Sequence, residues 1–499
     1  MEILGRGGSA IDAAIAVDAV LGVVAPETCG IGGDLFALVH RPGDLRPTVL
    51  NASGRAGSNA HADELRRAGA TTIPDFHPLT VTIPGCVDGW AELSSRFGRL
   101  SLTDVLAPAI RHAAEGFPVS RELAASLVSR RNELLGQASA SALYPHDNPP
   151  DAGDRIRRPD LAATLADLAR HGPAAFYEGA PGQAISEAVG GRIDRADLAE
   201  PQAEWVAPVG IDLFGLTGWT APPNSQGYLT LAAAYVFQTL SPPRDVEHAD
   251  FVHAQIEAYR SVAFERDDLV GDFRFLPLPI DELLSPARLT ARAEMVSMSR
   301  AGQFPVPAPA PGGTAFMCVL DDSGMGVSLI QSNYMGIGSG IGAGSCGFFL
   351  HNRGAGFNLV PGHCNELAPG RRPFHTLSPS LWTQDGRLEL LLGTRGGGVQ
   401  PQLLVQMATR LLWAGQPAVQ AQDGARWTME EFGPSTTSII DIEGAAGPEL
   451  VTDLERRGHR VTVIKDRQPG WGPVAVIRVG PEVIAAADPR VDTASAEVS

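Results

Sequence analysis

No apolar run in this 499-residue chain is long enough to cross a membrane; the richest early stretch, Ala13 to Ala25, is short and broken by Asp18. No secretory leader is visible, because Arg6 is followed at once by Gly7, Gly8 and the acidic Asp12, so the expected location is the cytoplasm. An excess of positive charge is lacking too. A net charge of −17 repels nucleic acid and anionic membranes, and neither is expected as a partner; solubility is the plain reading of the acidity. Cysteine is scarce: Cys29, Cys86, Cys318, Cys346 and Cys364 are odd in number and scattered, which argues against a disulfide framework and for reduced, mostly buried thiols. His351, His363, Cys364 and His375 follow no zinc-type spacing, so no metal is expected, and no other cofactor is implied.

What is present is ample material for a core, with 44% hydrophobic residues. Ser9-Ala10-Ile11-Asp12 reads as a capping box opening a helix that is apolar nearly all round, hence buried, and that ends near Pro26. The cluster Gly30-Ile31-Gly32-Gly33-Asp34 then leads into a strand over Leu35 to His40. A phosphate-binding glycine loop follows a strand and opens a helix; here the order is reversed, which argues against a dinucleotide site. Helical spacing recurs at Trp90 to Phe97, Leu106 to His112 and Pro159 to His171. Pro222 to Gly227 reads as a rigid turn before a buried helix from Leu229 to Leu240.

The stretch that carries chemistry begins at Gly302. Up to Gly313 it holds four prolines and no charge, and it reads as a linker. Thr314 then opens an apolar strand, Asp321 to Gly324 is a turn, and Val327 and Leu329 lie on the return strand. A linker followed by a strand is one reading. The other is that the chain is cut between Gly313 and Thr314, giving Thr314 a free α-amine to act as base for its own hydroxyl. Further on, LELLLGT reads as a strand, RGGGVQ as a turn and the segment from Pro401 as a helix, so the N–H groups of Gly396 and Gly397 would sit near a helix N-terminus.

From Gly7 to Arg490 the chain resembles a γ-glutamyltransferase-type member of the N-terminal nucleophile hydrolases. The blocks that carry the resemblance include GGSAIDAAIAVDAVLGVVAPETCGIGGDLFALVH, IPGCVDGWAELSSRFGRLSLTDVLAPAIRHAAEGFPVS, APPNSQGY, the Thr314 hairpin, RRPFHTLSPS, LGTRGGG and AAADPR, in matching order and spacing. The resemblance implies an α+β chain with a four-layer αββα sandwich, built from segments 1–313 and 314–499 that stay associated after self-cleavage. It implies that Thr314 is the nucleophile, that Ser332 is the hydroxyl that bonds it and aids cleavage, and that Gly396 and Gly397 supply the oxyanion donors.

The same resemblance exposes departures. The arginine that grips the substrate α-carboxylate in glutamyl-specific relatives falls on Ser53, with Arg55 two residues away. The family's Gln and Asp fall on Arg353 and Gly356, its serine pair reads His375-Thr376, and Asn333 sits one residue from its Asn. Arg55, Asn333, Arg353, His375 and Thr376 are therefore the candidate substrate-binding residues. Loss of the acid removes the partner for an ammonium and gain of Arg353 reverses the local charge, which points to a substrate lacking a free α-ammonium or carrying an extra anionic group near Arg353. The expected activity is that of a self-processing threonine amidohydrolase or acyltransferase acting on a γ-glutamyl or related small carboxamide through an acyl-enzyme, with water or an amine as acyl acceptor. A strict glutathione hydrolase and a catalytically silent protein on the same fold are the alternatives, and a homodimer is left open.

Overall fold

The computed structural model describes residues 1–310, 312–429 and 439–498. Pro311, within the linker, lies outside the described residues. The chain separates into two compact units. The first comprises residues 1–37, 50–206 and 312–375, the second residues 38–49, 207–311 and 376–499.

The first unit is organised around the helix Ala10–Val24 and the hairpin that follows the linker. The expected capping box is present: Ser9 Oγ accepts from the Asp12 N–H, and Asp12 returns a bond to the Ser9 N–H at 2.8 Å. A five-stranded sheet runs in the order Glu204–Val206, Thr48–Ala52, Asp34–His40, Gly326–Tyr334, Gly313–Leu320. Its last two strands are the antiparallel hairpin expected from the sequence, closed by Asp321, whose Oδ1 accepts from the Ser323 N–H at 2.9 Å. Asp321 Oδ2 also accepts from the Ala10 N–H, so the hairpin turn places a carboxylate on the N-terminus of the buried helix. All nine residues of the return strand are buried. The helices Cys86–Phe97, Leu102–Glu115 and Pro159–His171 appear where the helical spacing put them.

The second unit is built on a six-stranded sheet in the order Ile484–Ala486, Val474–Arg478, Arg387–Thr394, Ser380–Gln384, Leu216–Thr220, Val209–Leu213. The buried helices Tyr228–Leu240 and Ala249–Ala263 pack on each other, and Gln400–Ala408 follows the glycine turn with Pro401 in its first turn, where the missing N–H is not needed. Residues 302–310 have no regular secondary structure, as expected, yet they are held: the Gly302 N–H donates to Glu257 Oε2 at 2.7 Å and the Ala308 N–H to Asp267 Oδ2 at 2.6 Å. The five cysteines are free thiols, and Cys29, Cys86 and Cys364 are buried. Among the described residues no helix is long and apolar enough to cross a membrane.

Candidate active site

The hairpin carries an irregularity at one place, and it falls on Thr314. Gly313 pairs with Tyr334 and Ala315 with Gln331, so Thr314 alone faces two residues, Ser332 and Asn333. Such a bulge interrupts the ladder and re-aims side chains. Here it turns Ser332 Oγ toward the start of the opposite strand. Ser332 is fully buried, and its hydroxyl uses its proton and both lone pairs. It donates to the Gly313 carbonyl oxygen at 2.5 Å, accepts from Thr314 Oγ1 at 3.5 Å, and accepts from the Tyr334 N–H at 2.7 Å. One side chain thus touches the expected nucleophile and the carbonyl of the peptide bond expected to break.

A buried charged cluster lies in the same unit. Asp34, at the start of its strand, accepts from Arg353 Nε at 2.9 Å and from His375 Nε2 at 2.6 Å through Oδ2, while His351 Nδ1 lies 2.9 Å from Oδ1. All four side chains are fully buried. Burial alone would raise the Asp34 carboxyl; the facing His351 and His375 instead hold it well below the usual carboxylate range. Burial, with the nearby Arg353, drives His375 down to about 3, so it is neutral, and burial also lowers Arg353. The Arg353 guanidinium stacks on the Tyr334 ring, 4.1 Å from its centroid, and the His375 ring meets Phe36 edge-on at 4.8 Å.

These contacts amend the sequence reading. Arg353 was expected to reverse the local charge, but Asp34 neutralises it, and neither Arg353 nor His375 reaches the surface. The acid expected to be missing at Gly356 has no room there: a Cβ would lie 2.8 Å from the Phe374 carbonyl. Arg55 pairs with Glu204 at 3.0 Å and donates to the Pro201 carbonyl at 3.2 Å, a structural ion pair. Asn333 Nδ2 donates to the Pro26 carbonyl at 3.2 Å, and its N–H to the Thr28 carbonyl at 3.1 Å. Ser53 is buried, its N–H on Asn51 Oδ1. Arg353, His375 and Asn333 are thus gathered around the hairpin, whereas Arg55 is tied to Glu204.

In the second unit, Gly396 (φ +123°) and Gly397 (φ +57°) form the tight connection between the strand Arg387–Thr394 and the helix Gln400–Ala408. That left-handed path favours glycine. Gln226 Nε2 donates to both the Gly397 and the Thr376 carbonyls at 3.1 Å, fixing the turn from below. The Gly398 N–H donates to the Ala310 carbonyl at 2.7 Å, so the linker touches this turn. Neither the Gly396 nor the Gly397 N–H has a main-chain acceptor among the described residues. Thr376, also buried, contributes its carbonyl here.

Asp34 is the residue that sequence reasoning missed. Its signal was an acid closing a glycine cluster and opening a strand that is apolar up to its last residue, His40, and wholly buried. A carboxylate there requires buried donors, and the sequence does not say which distant residues supply them.

Over residues 1–498 the chain matches the family model described as Gamma-glutamyltranspeptidase. It is 35% identical to the glutathione hydrolase-like YwrD proenzyme of Bacillus subtilis, the alignment covering 99% of this chain and 95% of that protein. It is 34% identical to the oxamate amidohydrolase proenzyme of Klebsiella pneumoniae, with 99% and 95% covered. Among solved structures it is similar to the cephalosporin acylase from Bacillus halodurans, with a TM-score of 0.91 and 31% identity over 100% of this chain and 93% of that one. The mixed helix-and-sheet fold of the N-terminal nucleophile hydrolases and the expectation of an enzyme of this family, both drawn from the sequence, are borne out. The chain belongs to the γ-glutamyltranspeptidase family and is an enzyme of its amidohydrolase and acylase type.

Proposed function

We propose that this enzyme matures by cutting itself between Gly313 and Thr314, and that the freed Thr314 then hydrolyses a small carboxamide through an acyl-enzyme. In maturation, Thr314 Oγ1 adds to the Gly313 carbonyl carbon. The Gly313–Thr314 C–N bond breaks, the hydroxyl proton passes to the nitrogen, and an ester joins the two residues. Water hydrolyses the ester, leaving a Gly313 carboxylate and a Thr314 with free amine and hydroxyl. The observation that carries this reading is Ser332 Oγ, which bonds both the Thr314 hydroxyl and the Gly313 carbonyl oxygen. Negative charge develops on that oxygen during attack, and a hydrogen-bond donor already aimed at it lowers the barrier.

In turnover the Thr314 amine takes the hydroxyl proton and Oγ1 attacks the substrate amide. The N–H groups of Gly396 and Gly397 are the proposed donors to the resulting oxyanion; the family resemblance and their position at the head of a helix support this. The proton held on the amine passes to the leaving amine, and water, or an amine acceptor, releases the acyl group. The two segments, 1–313 and 314–499, stay associated.

The substrate we propose is a small carboxamide without a free α-ammonium, such as an oxo-acid amide. An ammonium needs an uncommitted carboxylate. Gly356 offers none, and Asp34 is committed to Arg353, His375 and His351. In this reading Arg353, His375 and Asn333 shape the acyl pocket, with Thr376 supporting the glycine turn, and the Klebsiella relative named for oxamate supports the class. A substrate profile of the processed enzyme tests it. Oxamate-type amides should be turned over and γ-glutamyl-nitroanilide poorly; robust nitroanilide release would instead favour the glutathione hydrolase reading.

A further inference from the structure

Tyr334 ends the strand that carries Ser332, and its backbone is left-handed, with φ +74°. A bulky residue holds that conformation only where its surroundings enforce it. Its N–H donates to Ser332 Oγ, and its ring, buried with the rest of the side chain, lies against the Arg353 guanidinium within cation–π range. Arg353 is aligned in turn by Asp34. A buried ion pair is thus linked, through one aromatic ring, to the hydroxyl that bonds the Gly313 carbonyl.

We infer that Arg353, aligned by Asp34, is a positioning residue for self-cleavage: it clamps the Tyr334 ring, and the left-handed turn so held aims Ser332 at Gly313. The inference rests on the proposed cut between Gly313 and Thr314. With the Tyr334 N–H occupying one Ser332 lone pair, the Ser332 proton stays directed at the Gly313 oxygen, where charge develops as Thr314 Oγ1 adds. Arg353 and Asp34 exchange no proton in this step. They fix a geometry whose alternative is a relaxed Tyr334 and a Ser332 hydroxyl free to turn.

The test follows the appearance of the Thr314 amino terminus, by mass spectrometry and denaturing gel, in freshly synthesised full-length chains carrying Tyr334→Phe, Tyr334→Ala or Tyr334→Gly. Phenylalanine keeps the ring and should cleave within about twofold of the unaltered chain. Alanine loses the clamp but keeps the steric objection to positive φ, and should be slower. Glycine loses the clamp and the objection together, and should cleave about 5–30-fold faster than alanine. A role in packing alone predicts the opposite order, because glycine removes still more contact. Alanine at the unaltered rate, or glycine no faster than alanine, overturns the inference. Should the alanine and glycine chains not fold, Arg353→Lys, which keeps the charge but not the planar stack, is compared with Tyr334→Phe. Slow cleavage of the lysine chain alone supports the clamp, and equal rates overturn it. If the unaltered chain yields no Thr314 terminus, the self-cleavage reading itself fails; if it cleaves and the variants match it, only the clamp fails.

Discussion

Ser332 Oγ lies 2.5 Å from the carbonyl oxygen of Gly313, a residue nineteen positions earlier in the chain. The register shift opposite Thr314 produces this contact, since an unbroken ladder would pair that residue with one partner instead of two. The proposed nucleophile, its hydroxyl partner and the carbonyl proposed to be attacked therefore share one hairpin. The proposed maturation needs no other element to supply them.

In the proposed mechanism Thr314→Ala removes both the hydroxyl that attacks and the nucleophile of turnover. A single full-length band on a denaturing gel, with no amidase activity, is the expected result. Thr314→Ser keeps a hydroxyl and should yield the two fragments 1–313 and 314–499. Complete cleavage of the alanine variant at the same bond would remove Thr314 from the mechanism.

Ser332→Ala takes away the donor to the Gly313 oxygen and leaves the Thr314 hydroxyl and Tyr334 N–H without this acceptor. Loss of one oxyanion donor lowers a rate by about 10²–10³-fold, and a fall of that order in the cleavage time course is expected. Ser332→Thr, which keeps the hydroxyl, should stay much closer to the unaltered rate. A time course unchanged by alanine would mean that the contact is structural.

Gly396→Ala puts a side chain at φ +123°, with its Cβ 2.9 Å from Val399 Cγ2. The left-handed strain is about 1–2 kcal/mol, and its relief would rotate the N–H groups of the turn. The processed variant should lose about tenfold or more in kcat with a smaller change in KM, read by steady-state kinetics on the best amide. A drop in KM-controlled binding alone would argue against an oxyanion role.

Asp18 sits fully buried on the helix Ala10–Val24, accepting from Trp90 Nε1 at 2.8 Å, and burial raises its carboxyl to about 7. Because the folded value exceeds the ordinary one, the folded state binds the extra proton. Stability from this group is complete below about pH 4 and is lost as pH rises toward 7. Asp18→Asn can still accept from Trp90 and never ionises. It should raise stability by about 2–4 kcal/mol at pH 8 and change it little at pH 4, as read by urea denaturation at both values.

His375 shifts the other way. Held near 3 by burial and Arg353 when folded, it titrates near its ordinary value when unfolded, so protons favour the unfolded chain. Its stability contribution is complete above about pH 6.5 and falls as pH drops toward 3; Asp34, depressed in the fold, adds a loss below about pH 4 in the same direction. A decline of about 3 kcal/mol between pH 6.5 and 4 is expected from the histidine. His375→Gln should flatten the melting temperature across that window, and an unchanged slope would place the acid sensitivity elsewhere.

Much of this was legible before folding, because it is local. The capping box at Ser9 and Asp12, the hairpin around Asp321, the strand–turn–helix at Gly396 and Gly397, and Pro401 in a first turn each follow from a few adjacent side chains and their preferred backbone angles. The pairing of Thr314 with Ser332 was legible too, since both lie on one hairpin and the family blocks named them. The specificity positions were only half readable. The sequence marked Arg353 and His375 as departures, but it could not reveal that Asp34, more than three hundred residues away, would take both.

The sequence by itself therefore determined the elements, the family and the candidate nucleophile, because short-range propensity and motif order are written along the chain. Tertiary structure alone decided that Arg353 carries a neutralised rather than an open charge, that Gly356 has no space for an acid, and that a bulge turns Ser332 onto Gly313. Those outcomes depend on which distant groups share a water-poor interior, where a charge must find its partner through space and a carbonyl can exclude a side chain.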